Sequence, residues 1–514
     1  NLSYCGSIFR HFSMLRLRTK KNSSGSTAVQ VVRYDNRRTV IVRHIGSART
    51  QEDISHLKEE ALRWIEAEMK QPSLFAEERS SQRFLNLDTC RYLGFRYNLA
   101  HEVLMKIANQ LQFTTMNNPL LLDLVIMRII EPASKLRSLE LLETYFGIHY
   151  ARSRLYRDLR KMVEHKPSFE RLAVSFARKE LSGDVSFVLY DVTTLYFESF
   201  EADELRKPGF SKDNKAQQPQ IVIGLLVDLM GFPLAYEIFE GNTFEGHTMI
   251  PVLEQFSRLH GIKTSIVVGD AAMLSRSNIQ ELERRGFFYI VGARLANASS
   301  GLIAQASREL RQKDKATIRM KTTTGHGDLI CSFSAKRFRK DSLEMERQIN
   351  KAKRLITLRQ QGKRAKFVKH ANGKDAYMLY EILMAKAKLL LGVKGYYTNV
   401  PRAHLDDEEI IARYHDLWHV EQSFRMTKSD LVARPIFHRK KDAIKAHMLI
   451  CFMALAMGKT MEIKTGLSLR RIVQILKSVT DARIFDAITK QELTLRSILS
   501  EDARYVLEKL HLSC

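Results

Sequence analysis

Cysteine is scarce in this chain: Cys5, Cys90, Cys331, Cys451 and Cys514 are scattered and odd in number. No Cys-x-x-Cys pair occurs, so neither a disulfide framework nor a cysteine zinc site is supported, and a reducing, cytosolic setting fits best. Long apolar runs are missing too. The longest, 446–458, contains His447 and is too short to cross a bilayer, so it reads as a buried core helix. Internal repeats and long low-complexity tracts are absent. Acidic residues are in deficit: 57 Asp and Glu face 82 Lys and Arg, so 82 − 57 gives +25, with a pI of about 9.8. That excess implies a polyanionic partner, nucleic acid or an acidic membrane surface, and the lack of a spanning segment leaves the membrane option weak.

What is present is length and apolar content enough for real cores, with a prior of about three domains. The sequence begins with Asn, has no convincing signal peptide, and becomes better patterned from Met14. Residues 1–13 are therefore set aside as a non-native or read-through leader. Residues 14–84 read as a small basic module and linker. A hairpin over 26–46 turns at Asp35-Asn36, Thr50 caps a helix running to Gln71, and 72–84 is polar. The module is equally an accessory DNA contact or a folding cap for the next domain. Residues 85–180 are expected to be helical, with Arg152, Arg154, Arg157, Arg160 and Lys161 close together. A DNA-binding domain is plausible there, although no recognition helix stands out.

The pattern then changes. A β-rich stretch ends at Asp191. A polar loop comes next with Lys207, Lys212 and Lys215, then a hairpin across Met230-Gly231. A helix, a short strand ending at Asp270, a second helix and another strand complete the order β-β-β-α-β-α-β over 181–295. This is an α/β arrangement, a mixed sheet flanked by helices, whose reactive groups belong at strand ends. Residues 296–392 interrupt it as a basic inserted subdomain, with 14 Lys and Arg against three acids in 336–374. A DNA contact is the better reading of so lopsided a stretch, and a solvated charged helix the plainer one. The pattern resumes over 393–460, and 461–514 reads as an amphipathic helical tail.

The resumed segment carries Tyr414-His-Asp-Leu-Trp-His-Val-Glu421-Gln-Ser-Phe-Arg425-Met-Thr-Lys428. At about 100° per residue it is one helix, with Val420, Phe424 and Leu431 on an apolar side and Leu417 at its edge. Tyr414, Glu421, Arg425 and Lys428 share the adjoining arc. A carboxylate beside cations suits phosphate chemistry. The plainer reading is a solvated helix with an ordinary Glu421–Arg425 pair, worth a few tenths of a kcal/mol. Asp191, Asp270 and Glu421 together make a set suited to holding Mg²⁺, since acids on rigid strands are what a metal site needs. Four histidines, His247, His415, His419 and His438, form no zinc-ligand set. Asp228 precedes a turn and reads as structural. Thr193 and Thr194 have no base spaced to make them nucleophiles, and Trp418 is either a core residue or a platform for a base.

These stretches resemble the DDE transposases of bacterial insertion sequences, in particular the insertion-sequence-four-like group whose last acid lies in a Y-(2)-R-(3)-E-(6)-K helix. Here that pattern is Tyr414, Leu417, Glu421 and Lys428, with Leu in the Arg position and Arg425 on the same arc. Leu189-Tyr-Asp191-Val-Thr-Thr-Leu-Tyr-Phe197 resembles the family's D-x-T-T-x-Y-F. Val268-Gly-Asp270-Ala-Ala-Met-Leu-Ser275 resembles D-A-G-M-L-S, with Ala272 where Gly is usual. The stretches Gly209-Phe-Ser-Lys-Asp, Phe239-Glu-Gly-Asn-Thr243 and Ala433-Arg-Pro-Ile-Phe-His438 resemble the family as well. The resemblance covers roughly residues 14–460. It implies an RNase H-like catalytic core interrupted by the insertion. It also implies two Mg²⁺ ions, which Mn²⁺ would replace, held by Asp191, Asp270 and Glu421. Tyr414, Arg425 and Lys428 would contact DNA phosphates. The implied activity is cleavage at element ends and strand transfer into target DNA, by a homodimer in a synaptic complex on double-stranded DNA in the bacterial cytoplasm. Two alternatives stand beside it: a decayed or domesticated DNA-binding regulator, favoured by Leu417 and Ala272, and an RNase H-like nuclease without strand transfer.

Overall fold

A computed structural model describes residues 15–69 (apart from 24, 36 and 37), 89–181, 186–261 (apart from 213, 214 and 216), 266–272, 275–322, 327–358, 365–370, 377–487 and 489–512. The leader over 1–13, the linker over 72–84, the turn residue Asn36, the Met273-Leu274 pair and parts of the basic stretch over 336–374 lie outside these residues.

The first described elements are three antiparallel strands, β1 (Leu15–Lys21), β2 (Thr27–Asp35) and β3 (Arg38–Ala48), and helix α1 (Gln51–Met69). Strand β4 (Cys90–Arg96) leads into helices α2 (Asn98–Gln110), α3 (Pro119–Ile130), α4 (Lys135–Phe146), α5 (Arg152–Leu159) and α6 (Lys166–Phe176). Then come β5 (Phe187–Tyr196), β6 (Gln220–Val227), β7 (Pro233–Glu240), α7 (Met249–His260), β8 (Ile266–Gly269), α8 (Arg276–Arg284) and β9 (Phe288–Ala293). The next stretch holds α9 (Ser300–Leu310), β10 (Thr317–Lys321), β11 (Asp328–Phe333), α10 (Ala335–Thr357), β12 (Val368–His370), β13 (Tyr377–Leu379) and α11 (Glu381–Leu389). After it come β14 (Val393–Thr398), α12 (Asp407–His415), α13 (Trp418–Arg425) and the long α14 (Lys441–Thr465). The last elements are α15 (Leu469–Ser478), β15 (Asp481–Asp486), β16 (Gln491–Arg496) and α16 (Glu501–Lys509).

Two compact units emerge. The smaller comprises residues up to 100, with 144–147 and 475–504. Its sheet β1-β2-β3 packs Val29, Val31 and Ile45 against Leu57, Ala61 and Ile65 of α1. The α1 start is set as the sequence suggests: Thr50 Oγ1 accepts a hydrogen bond from the Asp53 amide at 3.2 Å. A second sheet, β16-β15-β4, pairs segments almost 400 residues apart in the chain. Residues 461–514, expected to be helical throughout, therefore contain the β15–β16 hairpin, and 85–180 contains β4. The departure has a physical reason: the pairing partners of β4 and β15 are remote, and the strands are too short to show a clear period.

The larger unit is built on an eight-stranded mixed sheet, ordered β10-β11-β14-β9-β8-β5-β6-β7. Strands β5, β6 and β7 form an antiparallel meander, and β8 and β9 add in parallel to the other side of β5. This order is that of an RNase H-like core. β6 is buried at every position, as its continuous apolar run requires. The insertion is less separate than expected, since β10 and β11 extend the same sheet through β14. Helix α14 is long and apolar enough to span a membrane, but 89% of its apolar window is buried within the protein, so it is a core helix. Tyr236 of β7 stacks on its Phe452 at 4.1 Å, and Phe169 and Phe113 continue the aromatic column at 6.3 and 5.7 Å.

Close approach of two main-chain segments sets the loop before β6. A Cβ on Gly241 would overlap the carbonyl oxygens of Gln220 and Lys207. Gly241→Ala should lower the melting temperature by several degrees, at a cost of about 3 kcal/mol. Gly301→Ala, in open space within α9, should raise stability by about 0.5–1 kcal/mol. Paired thermal melts check both directions.

Candidate active site

Asp191 is expected from the sequence to end its strand. It lies instead inside β5, which continues to Tyr196 because Val192-Thr-Thr-Leu-Tyr196 is equally β-rich and pairs along its length with β6. What ends at this level is the parallel neighbour. Pairing of β5 with β8 stops at Tyr190 opposite Gly269, and Asp270 is the next residue of that segment. Continuing the register places Asp270 beside Asp191 on the same face of the sheet. Its neighbour across β9 is Gly292, one step beyond the Gly269–Val291 pair.

That row explains Gly292. The hydroxyl of Tyr414 occupies the position a Cβ of Gly292 would take. Tyr396 of β14, paired with Gly292, meets the Tyr414 ring edge to face at 4.8 Å. Lys394 Nζ lies 4.5 Å from the centre of the same ring. Burial, together with the charges of Asp270 and Glu421, pushes the Tyr414 phenol up to about 12, so it stays protonated beside the acids. Tyr414 thus links the strand pair to the helix carrying the third carboxylate.

The expected single helix over 414–428 is interrupted. Helix α12 ends at His415 and α13 begins at Trp418, with Leu417 between them at 8% exposure. A wide helical turn, Met426–Asp430, carries Lys428. The apolar arc is as read, with Leu417, Val420, Phe424 and Leu431 buried. Glu421 and Arg425 are exposed, and among the described residues they form no ion pair with each other, so an ordinary i,i+4 pair does not account for them. Ser423 fixes α13 by donating a hydrogen bond to the Gly231 carbonyl at 2.6 Å. The turn that presents Gly231 is held in turn by Asp228, whose Oδ1 accepts from the amides of Met230 and Phe232 at 2.9 and 2.8 Å. Asp228 is structural, as expected, but what it supports is the helix of Glu421.

Two residues at the acid pair have no role that the sequence alone assigns. Lys212 Nζ lies 3.1 Å from Glu245 Oε1 and 3.9 Å from Asp191 Oδ1, and it donates to the Val192 carbonyl at 2.7 Å. In sequence Lys212 is only a loop cation, and Glu245 carries no signal, because their meeting depends on a loop and a turn 33 residues apart. Burial raises the Asp191 carboxyl to about 7. Lys212 and a main-chain hydrogen bond from Val192 oppose that rise, and the charges of Asp270 and Glu245 add to it. Among the described residues, no three His, Cys, Asp or Glu side chains are close enough to make a ready metal cage. The donor chemistry nevertheless fits a hard divalent ion: carboxylate oxygens, two of them on adjacent strands, with a single lysine compensating Asp191 and Glu245.

The family model described as the Transposase DDE domain matches residues 183–457, more than half of the chain. The chain belongs to this family. The matched span contains Asp191, Asp270 and Glu421, and transposases of this kind generally use divalent metal ions. No curated protein matches the sequence. Among solved structures, a cryo-EM structure of the piggyBac transposase synaptic complex with hairpin DNA is similar at a TM-score of 0.34 and 12% identity. It covers 83% of this chain and 77% of that one, a loose overall likeness.

In the unfolded transposase Asp191 returns to its usual value near 3.8, whereas the folded protein holds the proton to about 7. Folded protein therefore binds more protons than unfolded between those values, and ionising Asp191 lowers stability as pH rises through that window. Without metal, Asp191→Asn should melt above wild type at pH 8, by up to ~4 kcal/mol, and level with it near pH 4. Calorimetry at both pH values tests this; an equal or lower melt at pH 8 would remove the desolvation argument.

Proposed function

We propose that this transposase is the DNA-processing enzyme of a bacterial insertion sequence of the Y-R-E-K group, cutting at the element's ends and joining them to target DNA. The observation that carries the reading is the side-by-side placement of Asp191 and Asp270 across parallel strands of an RNase H-like sheet. Asp191, Asp270 and Glu421 would hold two Mg²⁺ ions, with Mn²⁺ substituting. Bound there, divalent ions would supply Lewis acidity toward a phosphodiester and lower the pKa of water. Hydrolysis at each element end frees a 3′-hydroxyl, which then attacks a target phosphodiester.

Around that chemistry, the protein's own groups orient the backbone. Tyr414 offers a protonated phenol next to Asp270, and Arg425 and Lys428 offer cations to DNA phosphates. The helical region over 85–180 and the basic insertion over 296–392 provide further contacts to double-stranded DNA, in keeping with the +25 charge. Bringing two element ends together calls for at least a homodimer on DNA, acting in the bacterial cytoplasm. Leu417, buried where the group carries Arg, is the one observation that favours the alternative of a decayed, DNA-binding regulator.

Labelled DNA bearing the element ends, incubated with the protein and Mg²⁺, tests this directly. Wild type should nick at the ends. Asp191→Asn, Asp270→Asn and Glu421→Gln should each lower nicking by about a thousandfold or more while leaving DNA binding nearly intact. Nicking that survives all three substitutions would sink the three-acid site. Specific binding without nicking by wild type would select the regulatory reading.

A further inference from the structure

We propose that Lys212 is an internal counter-cation of the acid site, which a divalent ion must displace from Asp191 to bind, so that metal entry releases the loop that carries it. This rests on the reading of Asp191 as a metal-holding carboxylate.

Lys212 is not a wandering surface lysine. Its amide donates to Thr194 Oγ1 of β5 at 3.1 Å, and its ammonium donates to the Val192 carbonyl at 2.7 Å. The loop behind it is braced: Gln220 Nε2 donates to the carbonyls of Phe210 and Gly241 at 3.0 and 2.9 Å. The ammonium is thus delivered to Glu245 at 3.1 Å and Asp191 at 3.9 Å, and the lysine side chain is only 31% exposed.

The chemistry of the two cations is exclusive. An ammonium has only donors to offer, and here they go to a β5 carbonyl and Glu245, with Asp191 within ion-pair range. A divalent ion draws on the same Asp191 oxygens at shorter range and repels a positive charge a few ångströms away. The acid pair itself is fixed by strand register, so the lysine is the part able to yield. Without metal it holds Asp191 and Glu245 in place and limits their mutual repulsion. With metal it must withdraw, and the loop segment 205–212 loses its anchor on β5 and on the turn at Glu245.

Mn²⁺ binding to the full-length protein without DNA, read as the loss of the free-ion EPR signal, tests the proposal. Lys212→Met, which removes the charge and keeps the length, should tighten Mn²⁺ binding by about tenfold. Lys212→Arg should leave affinity near wild type. Unchanged or weaker affinity in Lys212→Met, or equal tightening in both variants, would overturn the proposal. Asp191→Asn separates the two readings: if Mn²⁺ affinity does not fall in that variant, it is the acid-site reading that fails. A second measurement uses wild type alone. Mg²⁺ should increase deuterium uptake in peptides covering 205–212 while β5 stays protected, and uptake unchanged by Mg²⁺ would overturn the release of the loop.

Discussion

The constraint on which this structure depends is the close approach of like charges. Asp191 and Asp270 sit at one level of a parallel strand pair, and Glu245 adds a third acid within electrostatic reach. Carboxylates so placed repel each other and resist burial, so a flexible scaffold would let them part. Here the strands leave them no freedom. β6 is buried along its whole length on one side of β5, and the apolar β8 and β9 flank it on the other. Much of the apolar core, the α14 helix and the aromatic column included, serves to make that sheet rigid enough to hold an arrangement electrostatics opposes.

The third carboxylate is held by a different route. Glu421 is on a helix, and its position results from a chain of contacts that starts at a buried acid in a hairpin turn. Asp228 shapes the turn, the turn presents the Gly231 carbonyl, and Ser423 binds it two residues from Glu421. On the other side, Lys459 of α14 donates to Gln422 at 3.3 Å. Leu417 belongs to the same logic. At the break between α12 and α13 it fills the core, a site at which an arginine would need a partner to be buried.

How much of this is legible in the sequence depends on how local each signal is. Strands β5 to β9 announce themselves through β-branched and aromatic runs of the right length, and the two acids interrupt those runs. The apolar arc of α13 is readable from period alone. Strands β4 and β15 are not, because neither finds its shared partner nearby in the chain. Even within β5, the acid reads as a terminus when the strand continues past it; only the register with β8 shows what actually stops there. Lys212 is visible in a family-like motif, but its meaning lies in Glu245 and Val192, which reach it through tertiary structure. Gly292 gives no sign at all in sequence; its reason is the Tyr414 hydroxyl, which fills the space its missing side chain leaves.

The charge balance of the whole protein sharpens the contrast between site and surface. An excess of +25 draws a polyanion toward the protein, yet the acids lie where that polyanion must be cut. A bare acid cluster would repel a phosphate group and undo part of the attraction that the rest of the surface creates. Some positive charge must therefore be present at the acids in every state. In the metal-free structure Lys212 is that charge for Asp191 and Glu245, and Lys394 stands over Tyr414 on the other flank of Asp270. A lysine carries one charge where each divalent ion brings two, so exchanging one for the other changes the sign of what an approaching phosphate meets. The acid pair is the fixed part of the site, and the identity of its counter-ion is the part free to change.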